Sequence, residues 1–185
     1  TWPTDMDKMG TGATHTLAIK TDGTLWVWGR NYWGQLGNNT DGNGYEKSSP
    51  VQIPGTTWSS VGQFSGNTNS GAIKSDGTLW MWGYGMTTGT GQGAPAGHRS
   101  SPTQVPGTTW AKRAQVESVT MATKTDGTLW MWGGNAYGML GQNNTTQYFS
   151  PVQIPGTDWD YPVLIPQGAT AVTLCTKTCL LYTSD

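Results

Sequence analysis

The chain has 185 residues, a formal net charge of −1 at pH 7 and 11% charged residues, where a typical domain has about a quarter. This balance lacks the basic footprint that nucleic-acid binding requires, so the sequence predicts no direct contact with nucleic acid. No apolar run approaches the length of a membrane span. The 11 tryptophans argue against a disordered chain, which carries few aromatic residues.

A ten-residue block of sequence occurs three times, at residues 20–29, 74–83 and 124–133. Its form is Lys-(Thr/Ser)-Asp-Gly-Thr-Leu-Trp-(Val/Met)-Trp-Gly. Self-similarity with a period of about 50 residues predicts stacked copies of one small structural unit. A second marker, which runs from Ser-Pro to a tryptophan, keeps the same period. Together the two markers predict a repeat region at residues 1–178, with copies at roughly 3–58, 59–110 and 111–159 and a partial copy at 160–178.

Both ends of the chain interrupt the repeat. Thr1 and Trp2 match the end of a copy, so a preceding repeat is expected. After Thr178 the repeat requires Asp-Gly-Thr-Leu-Trp, but residues 179–185 read Cys-Leu-Leu-Tyr-Thr-Ser-Asp. A transposase adapter ligated to fragments in shotgun sequencing libraries can encode those seven residues. We therefore predict that residues 179–185 are an adapter-derived tail and that Cys179 forms no structural disulfide with Cys175.

Each copy predicts short β-strands, and no stretch has a helical apolar period. Strand segments flank Asp22-Gly23, and Asp-Gly supplies the positive φ angles of a two-residue hairpin turn. Alternate side chains of a strand share a face, so Trp26 and Trp28 lie opposite Leu25 and Val27. Because both faces are apolar, each sheet is expected to pack between two others in an all-β fold. The tryptophans expected at equivalent buried positions are Trp26, Trp28, Trp80, Trp82, Trp130 and Trp132.

The residues that follow the first hairpin carry a family resemblance. They read Trp-Gly-Arg-Asn-Tyr-Trp-Gly-Gln-Leu-Gly over residues 28–37, after His-Thr-Leu-Ala at residues 15–18. This pattern resembles the regulator of chromosome condensation repeat family. The third copy keeps much of it at residues 135–141, whereas the second copy departs from it at residues 84–91. The resemblance implies a β-propeller fragment of about three complete four-stranded blades, with partial repeats at both ends.

Few residues are candidates for chemistry. His15 has no histidine equivalent in the other copies and is predicted to have a packing or hydrogen-bonding role, and His98 is predicted to be a solvated loop residue. Asp22 and its equivalents are explained by hairpin turns, because a calcium loop needs several oxygen ligands at defined offsets. No Cys/His cluster supplies zinc ligands, and no Gly-x-Ser-x-Gly elbow supports a nucleophile. The sequence therefore predicts no catalytic residue, no cofactor and no metal site.

The segments between Trp-Gly and Ser-Pro, at residues 30–48, 84–100 and 134–149, differ most among the copies. They carry residue types that interfaces favour, and loops on a rigid scaffold are common binding sites. The candidate binding residues are Tyr32, Trp33, Tyr45, His98, Arg99, Tyr137 and Tyr148. We predict a non-enzymatic repeat scaffold that binds a protein or a glycan through these blade-connecting loops.

Three alternatives stay open at this point. The eponymous family member is an exchange factor for a small GTPase, so the resemblance implies regulation of a GTPase as one alternative. A propeller-based hydrolase or lyase would need clustered acidic residues at one end of the central channel. Light sensing occurs in a plant family member, but its Gly-Trp-Arg-His-Thr motif is Gly-Ala-Thr-His-Thr here, at residues 12–16. Bacterial and viral members include inhibitors and proteins taken to be surface-exposed, so an extracellular or virion-surface location is an expectation; the sequence names no partner.

Overall fold

The computed structural model describes residues 1–2, 4–64, 68–85, 90–93, 97–116, 118–165 and 172–177. The predicted all-β fold is confirmed, with one short 3-10 helix at Met6–Lys8 in the described part of the chain. The strands are β1 (Met9–Thr11), β2 (His15–Ile19), β3 (Leu25–Gly29), β4 (Lys47–Ile53), β5 (Trp58–Ser60), β6 (Gln63–Phe64), β7 (Asn69–Lys74), β8 (Leu79–Gly83), β9 (Arg99–Gln104), β10 (Trp110–Val116), β11 (Val119–Lys124), β12 (Leu129–Gly133), β13 (Tyr148–Ile154), β14 (Trp159–Ile165) and β15 (Val172–Lys177).

The strands form successive antiparallel units, as the propeller prediction requires. The first sheet has the order β1-β2-β3-β4, the second β5-β7-β8-β9, and the third contains β10-β11-β12-β13. β6 joins the third sheet by pairing in parallel with β10, and β14 pairs with β15. We call the three four-stranded units blade 1, blade 2 and blade 3. The inner strands of adjacent blades contact one another.

Neighbouring blades are held together by two different apolar faces. Leu25 and Val27 of blade 1 pack in one buried cluster with Trp58 and Trp82 of blade 2. The same arrangement recurs between blades 2 and 3, where Leu79 and Met81 meet the equivalent tryptophans. Blade 2 therefore packs through both faces, as the sequence predicts, because the aliphatic face of one blade covers the tryptophan face of the next. Among the described residues no preceding blade covers the tryptophan face of blade 1.

The six repeat tryptophans are covered to different extents. Trp82 and Trp132 are fully buried, and the other four are partly buried, so none of them is largely exposed. Trp28 is more exposed than its equivalent Trp82 because Trp82 is covered by the aliphatic face and a loop of the preceding blade. Trp2 lies 6.4 Å from both Trp26 and Trp28 between ring centroids, so it completes the tryptophan group of blade 1.

The Asp-Gly hairpins differ in detail from the two-residue turn that the sequence predicts. The Lys20 amide donates to the Thr24 carbonyl, so the loop contains three residues, of which Gly23 has a positive φ of 78°. Asp22 is not one of the described residues that have a positive φ. The prediction of two positive φ angles was wrong, because a three-residue loop with one left-handed glycine also matches the twist of the strands.

Each hairpin aspartate has a structural role. Asp76 Oδ1 accepts hydrogen bonds from the Thr78 amide at 2.9 Å and the Thr78 hydroxyl at 2.6 Å. The Thr78 hydroxyl in turn accepts from Trp80 Nε1 at 2.8 Å. The other two copies repeat this chain of bonds. The bonds from the threonine hydroxyl and then its amide hold the pKa of each aspartate below its usual value.

We expect Gly77→Ala to lower the free energy of unfolding by about 1–2 kcal/mol, because Gly77 has a positive φ of 78° that an L-residue adopts at a cost. Gly97→Ala is the matched control, because Gly97 is exposed and nothing lies within 4 Å of its added methyl group. Urea denaturation of both variants tests this prediction. Equal stability of the two variants would contradict it.

The predicted copy boundaries at residues 58, 110 and 159 stay a prediction about the sequence repeat. The tryptophan that closes each copy is the first residue of a strand in the sheet that follows, at β5, β10 and β14. The predicted adapter-derived tail at residues 179–185, which includes Cys179, lies outside the described residues. The side chain of Cys175 is likewise not described.

Candidate functional site at the blade-connecting loops

The first blade-connecting loop, loop 1 at residues 30–46, is organised by one buried asparagine. Asn31 Oδ1 accepts from the Leu36 amide at 3.0 Å, which places the Leu36 side chain in the core. Asn31 Nδ2 donates to the Thr40 carbonyl at 2.8 Å and to Asn38 Oδ1 at 3.1 Å. These bonds satisfy the amide in a buried position and fold the loop back on itself.

Two glycines of loop 1 allow it to approach blade 2 closely. Gly34 has a φ of 76°, and a Cβ there would lie 2.8 Å from Ser100 Cα. Gly37 has a φ of 67°, and a Cβ there would meet the indole ring of Trp82. Both positions therefore need glycine for its left-handed backbone and for its missing side chain.

A buried polar network anchors loop 1 to blade 2. The Gln35 carbonyl accepts from Trp82 Nε1 at 2.9 Å and from Ser70 Oγ at 2.7 Å. The Ser70 hydroxyl also bonds His15 Nε2 at 2.8 Å. Because Ser70 has one proton and donates it to Gln35, His15 donates through Nε2 to Ser70. Burial lowers the pKa of His15 to about 4, so the ring is neutral at pH 7.

A buried arginine lies between blades 2 and 3. Arg113 Nε donates to the Val61 carbonyl at 3.1 Å, and burial lowers the pKa of Arg113 to about 9. Gly71 faces the guanidinium, since a Cβ there would lie 3.1 Å from Arg113 Cζ. Leu17 occupies the place of Gly71 in blade 1, so the smaller residue gives the guanidinium its space.

Trp33 forms the centre of an aromatic cluster on the loop surface. Its ring centroid lies 4.5 Å from that of Tyr32, 4.7 Å from that of Tyr84 and 4.6 Å from that of His98. The rings of Tyr32 and His98 stand nearly perpendicular to Trp33, an arrangement that aromatic quadrupoles favour. His98 Nδ1 also lies 3.5 Å from Asp41 Oδ2. Loops of two blades thus build one surface, which we call the Trp33 surface: Tyr32, Trp33, Asp41, Tyr84 and His98.

The family comparison agrees with these loops and sheets. A model of the Regulator of chromosome condensation (RCC1) repeat matches residues 22–72 and 126–166, and a second RCC1 repeat model matches residues 7–35. Together these matches cover more than half of the chain. The chain belongs to the regulator of chromosome condensation repeat family. The resemblance seen in the sequence is therefore confirmed.

The chain matches only part of the length of each of the following relatives. Protein pim1 of Schizosaccharomyces pombe is 34% identical over 93 residues, which are 44% of this chain and 17% of pim1. Human protein RCC2 is 30% identical over 147 residues, 78% of this chain and 28% of RCC2. Yeast RCC1 (Prp20), solved with Kap60, has a TM-score of 0.74 over 92% of this chain and 42% of that chain. At 20% identity this last likeness shows the fold alone.

The loop geometry explains the Asn-x-x-Gly-Gln-Leu-Gly motif of the RCC1 repeat. In the third blade-connecting loop, loop 3 at residues 134–147, Asn135 Oδ1 accepts from the Leu140 amide at 2.9 Å, as Asn31 does for Leu36 in loop 1. The two glycines of the motif have positive φ angles in both loops. In the second loop, loop 2 at residues 84–98, Gly85 replaces the asparagine, so this copy lacks the side chain that organises loops 1 and 3.

The seven predicted binding residues are not all neighbours. Tyr32, Trp33 and His98 meet in the Trp33 surface, and Arg99 follows His98 as the first residue of β9. Tyr45 is an exposed residue of loop 1. Tyr137 lies at the position equivalent to Trp33 and is 90% exposed. Tyr148 accepts from Asn144 Nδ2 at 3.1 Å beside loop 3.

The sequence candidates omit two members of the Trp33 surface, Asp41 and Tyr84. Tyr84 directly follows Trp-Gly in the copy with the divergent motif, so no repeat pattern marked it. Its aromatic type and its place at the start of a variable loop were the available signals.

Among the described residues, no three His, Cys, Asp or Glu side chains are grouped as metal ligands. No helix of the described chain is both long and apolar enough to cross a membrane.

Proposed function

We propose that this RCC1-repeat propeller segment is a non-enzymatic scaffold that binds a protein partner through the Trp33 surface. The observation that supports the proposal is a half-buried aromatic cluster contributed by two blades and held by buried hydrogen bonds. Trp and Tyr contribute much of the binding energy of protein interfaces, and residues fixed before binding lose little entropy when a partner docks. Yeast RCC1 (Prp20), which shares this fold, was solved bound to Kap60.

Charged groups at the rim would orient the partner. Asp41 and His98 lie at one side of Trp33, and the guanidinium of Arg30 lies 5.7 Å from the Tyr32 ring centroid. Exposed charges of this kind affect specificity and association rate more than affinity. Both signs occur beside the rings, so a partner with mixed charge fits the surface better than a uniformly acidic or basic one.

We expect Trp33→Ala to weaken binding of a protein partner by roughly 30-fold, because truncation of a hot-spot tryptophan costs about 2 kcal/mol or more. Partners are first identified on an array of purified proteins that includes small GTPases and core histones. Calorimetry then compares the wild-type chain, Trp33→Ala, Tyr84→Ala and Tyr137→Ala. Tyr137→Ala is the matched control, because this tyrosine occupies the equivalent place in loop 3 without belonging to the cluster. Unchanged affinity of Trp33→Ala would contradict the proposal.

Regulation of a small GTPase is the second candidate, and the family resemblance supports it. Release of a fluorescent guanine nucleotide from a panel of small GTPases is the direct test. Accelerated release by the wild-type chain, lost in Trp33→Ala, would make the partner a GTPase that docks on the same surface. Glycan binding by the loops has no supporting contact on the Trp33 surface, whose rings contact one another.

A further inference from the structure

A surface cleft of ≈ 400 Å³ lies between blades 1 and 2, outside the Trp33 surface. Gln52 of β4 lines one wall, Asn38 and Asn39 of loop 1 line the rim, and Lys74 and Trp80 of blade 2 line the other side. The volume is within the range of small-molecule sites. The cleft therefore has room for one sugar-sized ring, with amides, indole surface and one cation around it.

The cation of the cleft is fixed in place by aromatic rings. Lys74 Nζ lies 4.0 Å from the ring centroid of Trp80 and 4.9 Å from that of Trp58. Trp80 is in turn fixed by its bond from Nε1 to Thr78. The two ion pairs within the described residues do not include Lys74. Contact with ring faces leaves N–H donors of the ammonium group for an anion.

One side chain that lines the cleft is shorter in loop 1 than its equivalents in the other two loops. Gln92 of loop 2 donates through Nε2 to the Thr103 carbonyl, and Gln142 of loop 3 donates to the Gln153 carbonyl. Asn38 is the equivalent residue of loop 1, and its Oδ1 accepts instead from Thr40 Oγ1 at 2.7 Å. The space beside the outer strand that glutamine occupies in the other copies is therefore left open in blade 1.

We propose that this cleft binds an acidic sugar, a hexuronic acid residue, with its carboxylate on Lys74. The hydroxyl groups of such a ring match the amide of Gln52, which both donates and accepts hydrogen bonds, and the Nδ2 donors of Asn38 and Asn39. The Oδ1 atoms of these two asparagines already accept from Thr40 and Ser101. The apolar face of the ring fits the partly exposed indole of Trp80. A neutral sugar lacks the carboxylate for Lys74, and an acidic peptide side chain lacks the hydroxyl groups for the amides.

The test uses the full chain with glucuronate and galacturonate as probes, glucose as the neutral control and a glutamate-containing tripeptide as the peptide control. Binding is followed by the indole N–H signals of Trp58 and Trp80 in a two-dimensional NMR titration. Asn38→Gln restores the side chain that fills this space in loops 2 and 3. Lys74→Met removes the cation, and Lys124→Met is its matched control, because Lys124 stacks on Trp110 and Trp130 in the same way.

We expect saturable shifts of both indole signals with at least one uronate. Affinity should fall at least about tenfold in Lys74→Met, because a hydrogen bond to a charged group is lost. It should fall similarly in Asn38→Gln and stay unchanged in Lys124→Met. Any of three results would overturn the proposal: no saturable shift with either uronate, equal affinity for glucose or the tripeptide, or unchanged uronate affinity in Lys74→Met or Asn38→Gln.

Discussion

Trp82→Ala is expected to lower the free energy of unfolding by about 3–5 kcal/mol, the range for truncating a large buried aromatic side chain. Trp82 is fully buried, lies 6.3 Å from Trp58 between ring centroids and donates from Nε1 to the Gln35 carbonyl. Its removal leaves a cavity at the junction of blade 1, loop 1 and blade 2. Urea denaturation followed by circular dichroism measures the loss.

Trp28→Ala provides the internal control for Trp82→Ala. Trp28 occupies the same position in the repeat but is only partly buried, because no preceding blade covers it among the described residues. Its truncation is expected to cost about half as much, since burial sets the transfer term. Trp82→Phe retains most of the ring and loses the hydrogen bond, so it should cost about 1–2 kcal/mol and stay folded. Equal losses for Trp82→Ala and Trp28→Ala would contradict the packing model.

The sheet architecture could be predicted from the sequence because each of its determinants is local and recurs three times. The alternation of Trp26 and Trp28 with Leu25 and Val27 assigns the two faces of a strand within four residues. Asp-Gly marks the position of the hairpin. The number of residues in its loop depends on which carbonyl accepts the hydrogen bond from the Lys20 amide. That choice is made by the pairing of whole strands, which a dipeptide does not specify.

The candidate site was only partly predictable because its contacts cross from one copy to the next. Trp33 meets Tyr84 and His98 only when blades 1 and 2 stack, and neither loop repeats the other. The contact between Gly71 and Arg113 was not predictable for the same reason. Each residue differs from its equivalents in the other copies, and the glycine makes room for the arginine only when the blades are packed together. The lysines that lie over tryptophan rings are Lys20, Lys74 and Lys124. They were not predicted as candidates, although lysine begins all three ten-residue blocks.

Acidification from pH 7 to pH 4 is expected to lower the free energy of unfolding by roughly 3 kcal/mol through His15 alone. Burial lowers its pKa in the folded chain from 6.5 to about 4; a bond with the Asn69 backbone raises it, and the nearby Arg113 charge lowers it further. Between these two pKa values the unfolded chain binds more protons than the folded chain, so stability falls as the pH falls. Each pH unit across that interval corresponds to about 1.4 kcal/mol.

The control for this pH dependence is His15→Asn, which places in blade 1 the residue that blade 2 has at the equivalent position, Asn69. Asparagine does not titrate, so the decline between pH 6.5 and 4 should disappear from the variant. The loss at lower pH should remain, because the hairpin aspartates also have lowered pKa values and their stabilising effect is lost only as they are protonated. Urea denaturation at half-unit pH steps separates the two intervals. An unchanged decline above pH 4 in His15→Asn would contradict a buried, neutral His15 that holds loop 1 through Ser70.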